Sequence, residues 1–556
     1  MSDSVARQCH FPPAGFRGAY RDDASARAVY SEAAGIGRIV PAAVAVPVDA
    51  ADVVTLVRWA SARSLSLVPR GSGTSMAGGA IGAGVIVDLS RMNDIGEVDL
   101  PSLTVWTGPG ALRGAVNSAA GKHGLRFPVD PSSGAYCTVG GMVSTNAAGA
   151  RTLRFGATGQ WVSALDCVFE DGSRAVITRG DPVARDVPAL ERFLGVRDEL
   201  LAGGRKDSAR HPGVCKESSG YGVAAFAESG DLVDLLAGSE GTLAIIVGVR
   251  LRLTELARAT SGVLAAFSSL DDAVAAAVAA RDSGAVACEL LDKTFLDVAA
   301  TGGVSPGQAL ADVPRGTEAV FLSEVEGESG EGVAEAARSL ADAYARAGAT
   351  AVRVALEPLE QHEIWELRHA ASPILAQLDP ALRSMQFIED GAVPPALLAD
   401  YVRGVRAALD RRGVRGVIFG HAGDAHMHVN PLIDVSRPDW RDTVNGLLDD
   451  IVAITKSLGG TLAGEHGDGR LRTPLLPKVW SDDALWLFAV VKSAFDPRGI
   501  LNPGVKVPLH GQLPIGDVKY DPALAPLPDD ARAALDRVTS EREYSLLRLA
   551  LLDGQD

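Results

Sequence analysis

Cysteine is scarce in this chain: Cys9, Cys137, Cys167, Cys215 and Cys288 are scattered through 556 residues with no CxxC pair. That excludes a disulfide framework, an iron–sulfur domain and a cysteine-rich zinc site. A reducing cytoplasm is the expected compartment, with peripheral attachment at the inner face of the membrane left open. Excess positive charge is also missing. Asp and Glu outnumber Lys and Arg by 69 to 53, a formal net charge of -16, and a field of that sign repels phosphate backbones and anionic lipids alike. No nucleic-acid partner is expected, and an anionic substrate must be met by local arginines. Long apolar runs are absent too. Met1 to Val5 shows no basic start followed by an apolar stretch, and the Ala-rich run from Ala273 to Ala280 is too short to span a bilayer. No export signal, transmembrane segment or internal repeat is read from the sequence.

What is present has the balance of a folded globular protein, 47% hydrophobic and 22% charged. The chain is far longer than one hydrophobic core, so two or more domains with a ligand cleft between them are expected. Residues 38 to 100 alternate strand and helix: Pro41 to Val48 extended, Ala51 to Ser64 helical, then strands Leu65 to Val68 and Gly84 to Leu89. Leu103 to Thr107 adds a strand and Pro109 to Lys122 a helix, before a second small-residue loop from Asp130 to Gly149. From about Leu251 the texture turns to Ala-rich helical stretches: Asp271 to Ala280, Gly332 to Ala347, Glu357 to Leu378 and Pro395 to Arg411. Strands such as Val352 to Leu356 and Val417 to Phe419 separate them. The expected organisation is an N-terminal segment 1–37, one unit at 38–257, a second at 258–480, a return to the first at 481–506 and a helical extension 507–556.

Glycine-rich loops let backbone N–H groups approach phosphate oxygens, because no Cβ blocks them. Pro69-Arg70-Gly71-Ser72-Gly73-Thr74, with Ser75, Gly78 and Gly79 after it, suits a pyrophosphate. A G-x-G-x-x-G fingerprint fails here: Met76 stands where the third glycine belongs, and a strand follows instead of a helix. No Walker lysine follows either. An NAD-dependent Rossmann dehydrogenase is thereby disfavoured. Taken alone, the loop fits a plain tight turn as well as a phosphate cradle.

Gly420-His421-Ala422-Gly423-Asp424-Ala425-His426-Met427-His428 packs three histidines into eight residues, and Gly464-Glu465-His466-Gly467-Asp468-Gly469-Arg470 adds a fourth of the ten in the chain. Neutral imidazole and carboxylate suit a borderline divalent ion, and two His with one Glu leave positions open for substrate or water. His421, His428 and Glu465 are the expected metal ligands. The competing reading is of loop histidines bonded to backbone. His426 is kept out of the set, because strand alternation would crowd it onto the face of His428. Asp424 and Asp468 read as loop-shaping residues.

The first loop is followed by Asp130-Pro131-Ser132-Ser133, Cys137-Thr138-Val139-Gly140-Gly141-Met142, Thr145-Asn146-Ala147-Ala148-Gly149 and Gly238-Ser239-Glu240-Gly241-Thr242-Leu243. In this order and spacing the chain resembles flavoproteins of the vanillyl-alcohol oxidase and p-cresol methylhydroxylase (PCMH) type over residues 38 to 257. The resemblance implies an α+β fold, with a PCMH-type FAD-binding domain of two α/β subdomains and an α+β substrate cap built on an antiparallel sheet. It implies FAD held by Arg70, Gly71, Ser72, Gly73, Thr74, Ser75 and Gly79 on the first loop. Asp130, Pro131, Thr138, Gly140, Gly141, Ser144, Asn146, Gly149 and Gly156 would follow on the second stretch, and Glu240, Gly241 and Asn502 later.

The histidine loops, with Phe495-Asp496-Pro497-Arg498-Gly499-Ile500-Leu501-Asn502-Pro503-Gly504, look like the C-terminal domain of FAD-linked D-lactate, glycolate and D-2-hydroxyglutarate dehydrogenases. The resemblance then covers residues 38 to 506. In that family the His-x6-His pair and the Glu hold a divalent metal, commonly zinc, beside the flavin, and the His after that Glu acts on the substrate hydroxyl. Carried over, this makes His466 the catalytic base and Arg368 the cation for the substrate carboxylate, with Arg383 a further cationic contact. Ser372, one helical turn beyond Arg368, would add a hydroxyl. One departure stands out: the family commonly has Gly-Asp-Gly-Asn between the ligand histidines, where this chain has Gly423-Asp424-Ala425-His426. Since no histidine lies between Arg70 and Ala80, FAD is expected to be non-covalent. The implied reaction takes a D-2-hydroxy acid to the 2-oxo acid. The electrons then pass to an external acceptor: a quinone, an electron-transfer flavoprotein, a cytochrome or a separate iron–sulfur protein. A flavin-binding subunit of a larger complex and a flavin oxidase of another alcohol are the competing readings, and a homodimer is an allowed assembly.

Overall fold

The structure is a computed structural model and describes residues 12–301, 313–369 and 381–554. Near the N-terminus four strands form a mixed sheet in the order Ala19–Arg21, Ala43–Val46, Val85–Asp88, Leu67–Arg70, the last three parallel. Ala43–Val46 and Val85–Asp88 are buried throughout, as a parallel sheet covered on both faces requires. Alternate side chains serve alternate cores. Ala43, Ala45, Leu67, Val85 and Val87 pack with Val53, Leu56, Val57 and Ala60 of the helix Ala50–Ser61, which Asp49 caps. Val44, Val46, Val68 and Ile86 face the helix Ala24–Val29 and two C-terminal helices, Asp529–Glu541 and Arg548–Asp553. The sequence reads 529 to 552 as one stretch; Arg542, at φ 57 and ψ 34, breaks it in two.

A second, antiparallel sheet runs Thr104–Thr107, Ile245–Arg252, Val162–Val168, Arg174–Thr178. Its core takes in Leu487, Phe488, Val491 and Phe495 of the helix Asp482–Phe495, so the chain returns here after building the third sheet. That third sheet is antiparallel, in the order Ala351–Ala355, Ala259–Phe267, Ala319–Gly327, Ala287–Asp292, Arg415–His421, His426–Asp434, Leu382–Ser384. Helices Leu270–Asp282, Gly330–Arg346, Leu398–Arg411 and Trp440–Ser457 cover one face, where Ile418, Met427 and Val429 point. Val417 and Phe419 point to the other face, with Ile364 and Leu367 of the helix Pro358–His369. By alternation His421, His426 and His428 share this second face. The whole is α+β, and no helix of the described residues is long and apolar enough to cross a membrane.

Candidate functional site

The first glycine loop leaves the end of the strand Leu67–Arg70 and crosses the second loop at close range. A Cβ on Gly71 would lie 2.1 Å from Thr138 Oγ1, and Gly73 sits at φ +78, so neither position accepts a side chain without rearrangement. Thr138 caps the helix Val139–Thr145 by accepting from Gly141 N–H. Among the described residues, the N–H groups of Gly71, Ser72, Gly73, Thr74 and Ser75 find no acceptor. Backbone donors in so enclosed a place are normally paired. A row of five unpaired ones is the arrangement that receives an anion.

One cavity of about 340 Å³ is lined by both loops, by the Glu240-Gly241 turn, and by Arg368, Glu389, His428, Glu465 and His466. The histidines owe their meeting to a hairpin. Arg415–His421 and His426–Asp434 pair so that His421 faces His426 and Phe419 faces His428, with Ala425 at φ 51 in the turn. His426 does lie on the face of His428, ring centroids 4.7 Å apart. Burial resolves the crowding expected from the sequence, because every ring has a partner. His421 Nδ1 meets Glu289 Oε1 at 2.5 Å, His426 Nε2 meets Asp390 Oδ1 at 2.8 Å, and His428 Nδ1 meets the Glu389 carbonyl at 2.9 Å. The opposite nitrogens of His421 and His428 lie 3.2 and 3.4 Å from Glu465 Oε1. His426 Nδ1 is buried and without a partner.

A donor atom from each of His421, His426, His428 and Glu465 lies within 4.8 Å of the other three. Such a set, each imidazole tied outward to a carboxylate or carbonyl, has the chemistry of a divalent-metal site. Burial works to raise the Glu465 carboxyl, but Lys216, 2.6 Å away, and His421 outweigh it and hold it well below the usual range. His466 stands at the cavity wall, its Nδ1 2.6 Å from Glu389 Oε2. Burial would lower its pKa, yet Glu389 and Asp390 raise it to about 9. His426, by contrast, is pushed down to about 3, first by burial and then by Lys216.

Arg368 lines the cavity with its guanidinium 4.5 Å from the Phe419 ring centroid and its Nε 2.7 Å from Glu289 Oε2. Glu289, fully buried, thus grips Arg368 and His421 together. Ser372 falls outside the described residues. Arg383 is exposed on the strand Leu382–Ser384 and is not among the cavity residues. Of the residues expected around FAD, Asp130, Asn146, Gly149, Gly156 and Asn502 sit behind the lining. Asp130 pairs with Arg113 and Arg151, Asn146 takes the left-handed cap of a helix, and Asn502 Nδ2 donates to the carbonyls of Gly79 and Glu240. Arg70 is among the cavity residues, and its buried guanidinium donates to the carbonyls of Tyr30, Ala80 and Glu32. Sequence reasoning missed Glu289, Glu389, Asp390, Lys216 and Asn430. The signal was faint: Glu389-Asp390 is an acidic pair in an otherwise apolar stretch.

Two family models match the chain: the FAD binding domain over residues 41–178 and the C-terminal domain of FAD linked oxidases over residues 256–505. Among characterised proteins, the chain is 31% identical over 531 residues to D-2-hydroxyglutarate dehydrogenase of Escherichia coli (strain K12), covering 89% of this chain and 51% of that protein. It is 29% identical to glycolate oxidase subunit GlcD of Bacillus subtilis (strain 168), covering 87% and 93%. D-lactate dehydrogenase of Archaeoglobus fulgidus is also 29% identical, covering 82% and 89%. The chain therefore spans about half the length of the first relative and most of the other two. Among solved structures, 4-ethylphenol oxidase from Gulosibacter chungangensis superposes with a TM-score of 0.62 at 14% identity, covering 88% of this chain and 94% of that one. Alkyldihydroxyacetonephosphate synthase superposes with 0.58 at 14% identity, covering 87% and 82%. These likenesses bear on the fold.

Proposed function

The chain belongs to the FAD-linked oxidases, since it carries both their FAD binding domain and their C-terminal domain, and from that premise we propose that it oxidises a small D-2-hydroxy acid to the 2-oxo acid. One observation carries this reading: a single cavity is lined both by the five unpaired N–H groups of the first loop and by Arg368, His428, Glu465 and His466. A phosphate cradle thereby opens onto a carboxylate-binding cation, a base and a metal-ligand set. The names of the relatives, which act on D-2-hydroxyglutarate, glycolate and D-lactate, support the substrate class.

FAD, held non-covalently by the first loop and the Glu240-Gly241 turn, supplies when bound the two-electron oxidant for the C2–H bond. A divalent ion, held by Glu465 with the inward nitrogens of His421, His428 and His426, supplies when bound a Lewis acid that lowers the pKa of the substrate hydroxyl. Zinc fits this mixed nitrogen and oxygen set. Arg368 receives the substrate carboxylate, its planar fork fixing the acid in one orientation. Phe419 and Glu289 keep that fork in place. His466 takes the hydroxyl proton through Nε2, while Glu389 on Nδ1 fixes the tautomer and stabilises the imidazolium that forms. At about 9 that imidazole is protonated at neutral pH. A positive charge brought beside it lowers the value and frees the nitrogen for work as a base.

The assay is a panel of D- and L-2-hydroxy acids of different length with an artificial dye acceptor, with and without a chelator. Turnover of a D-2-hydroxy acid that chelation abolishes supports the reading. Turnover of phenolic alcohols alone sinks it. A second reading, a flavin-carrying subunit of a larger oxidase, is favoured by one observation, that the relative of similar length from Bacillus subtilis is named a subunit. It predicts dye reduction only after a partner chain is added.

A further inference from the structure

The family match ends at residue 505, yet the chain beyond it reaches the back of the first glycine loop. The helices Asp529–Glu541 and Arg548–Asp553 pack on Ala24–Val29, and Ala531, Ala534, Leu535 and Leu549 join the core under Val68, the strand that feeds the loop. Tyr544 lies in the turn between the two helices, and Arg548 opens the second. Tyr544 lies with its ring centroid 6.4 Å from that of Tyr136, on the second loop. Arg548 is 2% exposed, and its Nη2 donates to the Ser72 carbonyl at 3.3 Å. Its Nε and Nη1 are buried without partners, and so is Nε of the neighbouring Arg70.

Two buried guanidinium groups therefore stand together with little to balance them. Asp88 is the carboxylate whose field reaches both, and it already accepts from the Tyr30 hydroxyl at 2.5 Å and from Ser90 N–H at 2.8 Å. Burial, and then the charge of Arg70, push Arg548 down to about 10. A desolvated charge without a counter-charge is costly, so such a pair persists where a bound anion supplies the balance. On the front of the same loop five N–H groups lack acceptors, while its carbonyls at Ser72 and Ala80 are held from behind by these arginines.

We propose that the C-terminal segment is part of the cofactor site: Arg548, with Arg70, forms a cationic back wall that turns the loop's N–H groups toward the diphosphate of FAD and shares in neutralising it. Arg548 is a positioning residue here, acting through the loop. The inference rests on the reading that this loop holds FAD.

The test is Arg548→Met in the full chain, with FAD affinity followed by flavin fluorescence quenching on the deflavinated protein and melting temperature followed with and without FAD. The expected result is at least a tenfold loss of FAD affinity and a matching loss for ADP, with adenosine unaffected. The deflavinated variant should melt no lower than deflavinated wild type, since it has shed an unbalanced buried charge. Arg548→Lys, which keeps the charge and most of the stem, should fall between, and it serves if the Met variant does not fold. Unchanged FAD affinity in the variants, or equal falls in melting temperature with and without FAD, overturns the proposal while wild type still binds FAD. A wild-type chain that takes up no FAD overturns both this proposal and the cofactor reading beneath it.

Discussion

Glu289→Gln is the sharpest perturbation of the proposed chemistry, because one buried carboxylate serves two functions at once. Its Oε2 accepts from Arg368 Nε at 2.7 Å and its Oε1 contacts His421 Nδ1 at 2.5 Å. Burial opposes ionisation, but His421 and Arg368 overcome it and hold the carboxyl at about 2, so both contacts are charge-assisted. Such hydrogen bonds contribute about 1.5–3 kcal/mol each. Glutamine keeps the shape but has one acceptor oxygen. If that oxygen stays with Arg368, the amide NH2 faces His421 Nδ1 and forces the ring into the other tautomer, with Nε2–H pointing at Glu465. A protonated Nε2 cannot bind a metal ion. Losing one charge-assisted contact and neutralising the other costs about 2–3 kcal/mol, or roughly 30- to 150-fold. The loss should fall mainly on metal affinity, read by titration against a competing chelator, with a smaller rise in KM for the hydroxy acid. The flavin absorption spectrum should not change. Metal affinity and KM both within twofold of wild type, in a folded variant, would refute the assignment of Glu289 as the common support.

Other variants separate the remaining roles. His466→Ala should lower kcat by roughly 100-fold or more, as loss of a general base does, with flavin spectrum and metal content intact; wild-type turnover removes His466 as base. His426→Ala should weaken metal binding by roughly tenfold or more, in the range expected when a ligand or its support is lost; wild-type affinity would return His426 to a packing role beside Asp390. Acid precipitation should leave the flavin in the supernatant, and flavin retained on the pellet would show a covalent link.

The proposed phosphate cradle stands out because its signal is local: glycines, serines and a threonine in one short run, with Met76 disfavouring the dinucleotide alternative. The proposed metal set stands out for the same reason, with three histidines on one short segment and Glu465-His466 on another. What supports them does not. Glu289 reaches His421 through sheet register, across 132 residues of sequence, and Lys216 reaches Glu465 from a segment far earlier in the chain. No spacing rule reports such pairings. Five of the residues expected at FAD lie behind the cavity for a related reason. A glycine or asparagine in these loops answers to backbone crowding as much as to a ligand, and a Cβ on Gly149 would lie 1.9 Å from the Asp130 carbonyl oxygen. Helix ends were read generously, since periodicity continues past the point where Arg542 turns the chain into the left-handed region.

In the proposed mechanism the four imidazoles take different roles, and their outward partners alone do not sort them. The partner of each ring fixes which nitrogen carries the proton and which faces inward. For His421, His426 and His466 that partner is a carboxylate, and for His428 a neutral carbonyl. A carboxylate partner makes a ring more basic, so basicity alone would not set His466 apart. Position does. His426 is wholly buried beside Lys216, whereas His466 reaches the cavity and leans on Glu389, whose charge Arg472 also steadies. His428 lines the cavity as well, but His466 is the more exposed of the two, so the proposed mechanism gives it the proton and leaves the other rings a lone pair for a metal. In the proposed mechanism the division between base and ligands comes from depth in the wall, and His426, the most deeply buried of the four rings, serves as a ligand and not as a second base.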